Sequence, residues 1–223
     1  MTPPKSWLIG SALSAVAMYA LMWIGYTQGW SWLNTIDSSA LDAFHRHGVD
    51  HPGWVIAWNV FCTAFGPTAF RLAGLVVIVI ALVRRNLRLA MFLVLSVELS
   101  GLITEIAKAI ANRPRPETAM IFALSTSFPS GHALGVMVGV LALLTVVLPL
   151  VRKTRWPWIV ALGLVVVIAV GVGRVVLNVH YPSDVLAGWA LGYAYFAGCL
   201  LLVPPTRPVT EADEIPEVPG IAR

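Results

Sequence analysis

The sequence predicts an all-α protein, a six-transmembrane helical bundle, and three observations lead there. Of its 223 residues, 58% are hydrophobic and only 12% charged, about half the charged share of an ordinary soluble domain. The apolar residues form continuous runs of about 20, the length that crosses hydrocarbon as helix, not the roughly ten-residue alternating segments of a membrane β-barrel. The basic residues fall in short clusters between those runs, so the net charge of +4 marks topology and is no footprint of nucleic-acid binding.

The spans follow in order. The first covers Trp7 to Thr27; Ala15-Val16-Ala17 imitates a small-residue cleavage site, but the apolar run continues through "MYALMWIGY", which reads as an uncleaved anchor. The second covers Gly66 to Val83, preceded by a short interfacial helix from Trp54. The third runs from Leu89 to Ala111 and is stopped by Pro114 and Pro116. The fourth runs from Gly131 to Val151, with Ser130 placed as its N-cap. The fifth covers Trp156 to Leu177, and the sixth Asp184 to Val203, with Pro182 suited to a first helical turn.

Lys5, the cluster Arg84, Arg85 and Arg88, and the cluster Arg152, Lys153 and Arg155 all fall on one side. The positive-inside rule assigns that side, with both termini, to the cytoplasm of a multi-pass inner (plasma) membrane protein. Trp30, Trp32, Trp54 and Trp58 then line the outer interface, and Trp156 and Trp158 the inner one. Between the first two spans, Gln28 to Gly53 carries Leu33, Ile36, Leu41 and Phe44 at helical spacing, an amphipathic helix expected to lie on the membrane. His45, His47 and His51 follow it, but Gly48 and Pro52 interrupt a shared face and no paired carboxylates have ligand spacing, so no metal site is expected. Cys62 and Cys199 read as small apolar fillers, not a disulfide pair. Residues 1–203 therefore form one six-span domain, and residues 204–223, with five prolines and four acids, a disordered cytoplasmic tail.

Four cations on the opposite side are not explained by topology: Lys108, Arg113 and Arg115 in "KAIANRPRP", and Arg174. Lys108 and Arg174 end apolar spans, where a charge costs at least about 2.5 kcal/mol on insertion scales and marks function by default; the alternative is that each snorkels outward and ends its helix. Beside them lies "STSFPSGHALG", where the start of the fourth span offers free N–H groups, Gly131 allows close approach, and Ser130 adds a hydroxyl: an anion cradle. In "HYPSD", His180 and Asp184 are four residues apart, so the acid can fix the tautomer of one imidazole nitrogen and sharpen the other. Spans three to six deliver all three pieces to the same face.

Together these pieces resemble the signature of the type 2 phosphatidic acid phosphatase family: Lys108 through Arg115-Pro116, then Pro129-Ser130-Gly131-His132, then Arg174, His180 and Asp184, covering about 108–188. Gly173 stands where that family usually has serine. The resemblance implies that His180 attacks phosphorus and forms a phosphohistidine, oriented by Asp184. It implies that His132 protonates the leaving oxygen and later activates water, while Lys108, Arg115, Arg174, Ser130 and the Gly131 N–H hold the phosphoryl oxygens. Three fixed cations can neutralise that charge without a metal or other cofactor.

Outside the signature, Glu105 is placed to pair with Lys108 one turn on, and Glu98, deeper still, should face the bundle. Asn112 and Arg113 could touch a second phosphate or headgroup, or simply face water, and Arg71 stands equally open. The expected activity is hydrolysis of a lipid phosphate monoester or diphosphate (undecaprenyl diphosphate, phosphatidate or phosphatidylglycerol phosphate) at the extracytoplasmic face. The partners expected are that lipid and the bilayer, with no nucleic acid and no obligate protein partner. The alternatives are a non-catalytic binder or transporter of anionic headgroups, and a phosphotransferase using an acceptor other than water.

Overall fold

The computed structural model describes residues 4–205, which form an all-helical bundle. Its helices are α1 (Lys5–Thr27), α2 (Ser31–Asp50), α3 (Pro52–Ala64), α4 (Pro67–Val83), α5 (Leu87–Leu93), α6 (Ser100–Ala111), α7 (Gly131–Val147), α8 (Trp156–Val176) and α9 (Pro182–Leu202). A π turn, Val94–Glu98, joins α5 to α6 within one span, its register shift visible in the bond from Leu99 N to Val94 O at 3.1 Å. Six segments are long and apolar enough to cross a membrane. Their bounds lie within two residues of those read from the sequence except at the starts of the second span, at Pro52, and the fifth, at Lys153. Residues 206–223, most of the predicted tail, lie outside the described residues.

The second span differs because its preceding helix does not merely float at an interface. α3 starts at Pro52 and continues almost directly into α4, the two being separated where Gly66 caps and Pro67 opens the next helix. α3 packs on α8, with Cys62 fully buried against Leu177 and Val179. α2 likewise departs from expectation. Most of its apolar stripe is turned onto the bundle, with Ile36 left exposed: Leu33 packs with Phe128 and Ala187, and Leu41 with Ala133, Val175 and Val185. The physical reason is Asp37, which shares that stripe, is buried, and finds its partners only inside the protein. In the fourth span the α-helix ends at Val147 and a short 3₁₀ turn carries the chain to Leu150.

α7 is the central helix, touching α4, α6, α8 and α9. Small residues allow that density, as they do in other lipid-embedded bundles. A Cβ on Gly135 would come 2.8 Å from Pro67, and one on Gly139 2.5 Å from Phe70. From α9, Gly188 and Gly192 approach the carbonyl oxygens of Ser130 and Leu134 equally closely. α1 lies along α9, with Ser11 Oγ 2.7 Å from Tyr193 OH. Cys62 and Cys199 are both buried free thiols. The clusters at residues 84–88 and 152–155 cap one end of the bundle; the ends of α6 and α8 and the starts of α7 and α9 meet at the other.

Candidate active site

That second end is assembled from turns. Asn112 closes α6 in a left-handed conformation, φ 44°, which Asn tolerates better than most residues. Ser127 N then donates to Arg113 O at 2.8 Å and folds the proline-bearing loop back over the end of α6. Ser130 caps α7, its Oγ accepting from Ala133 N at 3.4 Å, and its own N–H donates to Asp184 O at 2.9 Å. The start of α7 is thereby tied to the start of α9. Gly131 stands where a Cβ would come 3.0 Å from Thr104 and 3.8 Å from Lys108, so its N–H remains approachable.

Three predicted cations converge here. Lys108 Nζ donates to Ser125 Oγ at 3.0 Å and to the Thr126 carbonyl. Arg115 donates from Nε to Ser125 O and from Nη1 to Val179 O, both at 2.6 Å. Arg174 is buried with its Nε lacking any protein acceptor. His132, at the first turn of α7, lies within electrostatic reach of Arg174, His180, Arg115 and Lys108. These residues are therefore gathered within electrostatic reach of one another at one end of the bundle.

The His180–Asp184 pair forms as the spacing predicted, with Nδ1 to Oδ2 at 3.5 Å. Asp184 also accepts from Tyr181 N at 3.0 Å, capping α9, and from Ser127 Oγ at 2.5 Å. On the other side of the ring, Arg115 Nη1 lies 3.3 Å from His180 Nε2. A guanidinium can only donate, so Nε2 presents its lone pair to the cation cluster and the ring proton sits on Nδ1, toward Asp184. Burial drives the His180 pKa down to about 3, against the opposing pull of Asp184, so the ring is neutral at ordinary pH. A neutral imidazole thus presents its free nitrogen to Arg115, with Arg174 within electrostatic reach.

Sequence reasoning missed what holds Asp184. Arg113 is buried, not facing water or a ligand: Nη1 donates to Asp184 Oδ1 at 2.7 Å and Nη2 to Asp37 Oδ2 at 2.9 Å. Its guanidinium is sandwiched between the rings of Tyr26 and Tyr181, with Cζ 4.6 and 3.8 Å from their centroids. Burial opposes its charge, but Asp184 and Asp37 outweigh that and leave its pKa raised. Asp37 further accepts from Ser183 N at 3.0 Å and Ser183 Oγ at 2.5 Å. Both alternatives expected of Arg113 are thus corrected, because two carboxylates claim its donors. Asn112 is exposed and serves the helix end. Glu105 is exposed and forms no ion pair with Lys108, whose ammonium bends instead to the 125–126 loop. The signal for Asp37 was in the sequence, an acid between Leu33 and Leu41 on an apolar stripe; its partners, 76 and 146 residues away, were not.

Gly173 also acquires a cause. A Cβ there would stand 2.5 Å from Cys62 Sγ and 2.8 Å from the Trp58 ring, so α3 occupies the space that a serine side chain would need.

The PAP2 superfamily profile matches residues 89–208, which include every signature residue. An undecaprenyl-diphosphatase of Sulfolobus acidocaldarius is 30% identical over 139 residues, 59% of this chain and 63% of that protein. Phosphatidylglycerophosphatase B of Bacillus subtilis is 35% identical over 99 residues, 43% of this chain and 48% of that protein. These alignments span less than two thirds of either relative's length. The fold matches the crystal structure of a transmembrane PAP2-type phosphatidylglycerolphosphate phosphatase from Bacillus subtilis, with TM-score 0.69, 22% identity, and 86% of this chain and 95% of that one covered. A profile match across more than half the chain, on a six-span helical fold with the three-part signature gathered at one end, makes this multi-pass membrane protein a member of the PAP2 superfamily.

Proposed function

We propose that the chain is a lipid phosphatase that hydrolyses a phosphate monoester or diphosphate of a membrane lipid through a phosphohistidine. The observation that carries this reading is the His180 ring, held neutral with Nε2 toward Arg115 and with Arg174 within electrostatic reach. Nε2 attacks phosphorus while the bond to the lipid oxygen breaks. His132, whose imidazolium form the arriving phosphate dianion favours, passes its proton to that oxygen. Water then attacks the phosphohistidine, His132 takes its proton, the N–P bond breaks, and inorganic phosphate leaves. Lys108, Arg115, Arg174, the Ser130 hydroxyl and the Gly131 N–H hold the three equatorial oxygens, where charge accumulates in phosphoryl transfer. Asp184 keeps the ring in the reactive tautomer. Lys108 and Arg115 now rest on loop carbonyls, so substrate oxygens replace Thr126 O, Ser125 O and Val179 O as their acceptors.

The side is read from charge. With the clusters at 84–88 and 152–155 in the cytoplasm, the site faces the extracytoplasmic surface of the plasma membrane and both termini are cytoplasmic. The relatives named above act on undecaprenyl diphosphate and phosphatidylglycerophosphate by their names, which brings both classes forward as substrates.

The deciding experiment is phosphate release from a panel of detergent-dispersed lipid phosphates by wild type and His180→Ala. The variant should lose at least about a thousandfold in kcat, as removal of a nucleophile from a site acting as a unit does. Near-normal turnover would sink the mechanism. Tight headgroup binding by wild type without phosphate release would favour a binder or transporter, and transfer to an added alcohol in place of water a phosphotransferase.

A further inference from the structure

We infer that Arg71 binds a second phosphate of the lipid substrate, the one that remains with the lipid when the scissile bond breaks. The inference rests on the lipid phosphatase reading and adds a specificity residue to it. The second-phosphate role that the sequence offered to Asn112 or Arg113 is closed to both, since one ends a helix and the other is consumed by two carboxylates. Arg71 has no such close partner, though Glu98 lies within electrostatic reach of it. Among the described residues it forms no ion pair within 4.0 Å, and its Nε is buried without a hydrogen-bond partner. A cation inside an apolar span is a functional residue by default, with a counter-charge to be named.

Its surroundings point to a ligand. One tip of the guanidinium, Nη2, is aimed at Gly101 of α6, where a Cβ would come 2.1 Å from it, so a bare glycine makes room for it. Gly101 is seven residues before Lys108, about 10 Å along the helix, with Thr104 between them packed on Gly131. On the other wall, α4 begins beside Gly66, whose Cβ position is 3.4 Å from the His132 ring. Arg71 therefore stands below the cation cluster on the side of His132, the side toward which the leaving group departs. There α4 packs on α5 and the π turn while α6 packs on α7, and Leu72 and Leu102 nearby are exposed. Glu98 lies deeper, with Oε1 against Gly74, that atom buried and likewise without a hydrogen-bond partner among the described residues. This region thus holds one donor and one acceptor that lack hydrogen-bond partners, within electrostatic reach of each other but not paired. A phosphate oxygen on Arg71, with a headgroup hydroxyl or bridging water on Glu98, satisfies both. That phosphate is either the inner phosphate of a diphosphate lipid or the diester of a glycerol-linked headgroup.

The test uses full-length Arg71→Met and, as a variant that keeps the arginine but displaces it, Gly101→Ala. Each is assayed with phosphatidate, a polyprenyl diphosphate and phosphatidylglycerol phosphate. The expected result is a kcat/KM about tenfold lower or worse on at least one two-phosphate lipid, carried mainly by KM, the scale of one charge-assisted hydrogen bond. Phosphatidate turnover should stay near wild type, and the lipid that suffers identifies the source of the phosphate. A fall of equal size on all three lipids, or none on any, overturns the role of Arg71 while leaving the phosphatase reading intact. Wild type inactive on all three overturns both.

Discussion

Asp37→Ala gives the sharpest test of how this site is held. The substitution touches no residue assigned to the phosphate, and lies on a helix that sequence alone placed on the membrane surface. It removes one of two carboxylates from the buried Arg113 and strands both donors of Ser183. Breaking a buried pair from one side costs about 3–5 kcal/mol; Arg113 keeps Asp184, which places the expected loss at the lower end of that range. The guanidinium is then free to draw Asp184 away from His180, and a misplacement on the order of 1 Å at a reacting centre costs about a hundredfold. Thermal unfolding in detergent and steady-state phosphate release read the two effects separately. Adding Arg113→Met should recover much of the stability, because the unpaired charge goes with it, but not the kcat, because Asp184 loses its anchor. Wild-type kcat in Asp37→Ala, together with a stability change under about 1 kcal/mol, the range of an ordinary surface substitution, would refute the coupling of α2 to the site.

Gly173→Ser should destabilise the protein by about 1–3 kcal/mol through overpacking against Cys62 and Trp58, and adding Cys62→Ala should relieve part of it; thermal midpoints decide. The His180 pKa is lowered by burial to about 3, against about 6.5 in an unfolded chain. Between those values the unfolded chain holds a proton that the native one does not, so this residue adds nothing above pH 6.5 and erodes stability as pH falls from there toward 3. Acid unfolding of His180→Asn should therefore be shallower than wild type across that window, and parallel curves would contradict it. Phosphate release should be insensitive to EDTA, because three guanidinium and ammonium groups supply the neutralising charge; loss on chelation, restored by Mg²⁺, would count against that.

Much of this molecule was legible in the chain. Runs of about 20 apolar residues can satisfy their backbone in lipid only as helices, so the six spans and most of their ends followed from length and composition. Lys108, Arg115, His132, Arg174, His180 and Asp184 were legible because their types are costly near hydrocarbon and their spacings are local to helix ends. What stayed hidden was pairing. α2 looked like a membrane-surface helix because amphipathicity does not say which apolar phase covers the stripe, and only Asp37 meeting Arg113 and Ser183 decided it. Arg113, two residues from a phosphate-binding candidate, was separable from it only by direction: its donors turn inward to two carboxylates, while those of Arg115 turn to the pocket.

The sequence by itself determined the spans, their order and the end of the bundle at which the signature residues gather, since hydrophobic length and local spacing act within one segment. Tertiary structure alone decided which charges are spent on one another and which are left for a ligand. That outcome depends on side chains brought together across as many as 146 residues, a distance over which no local rule operates.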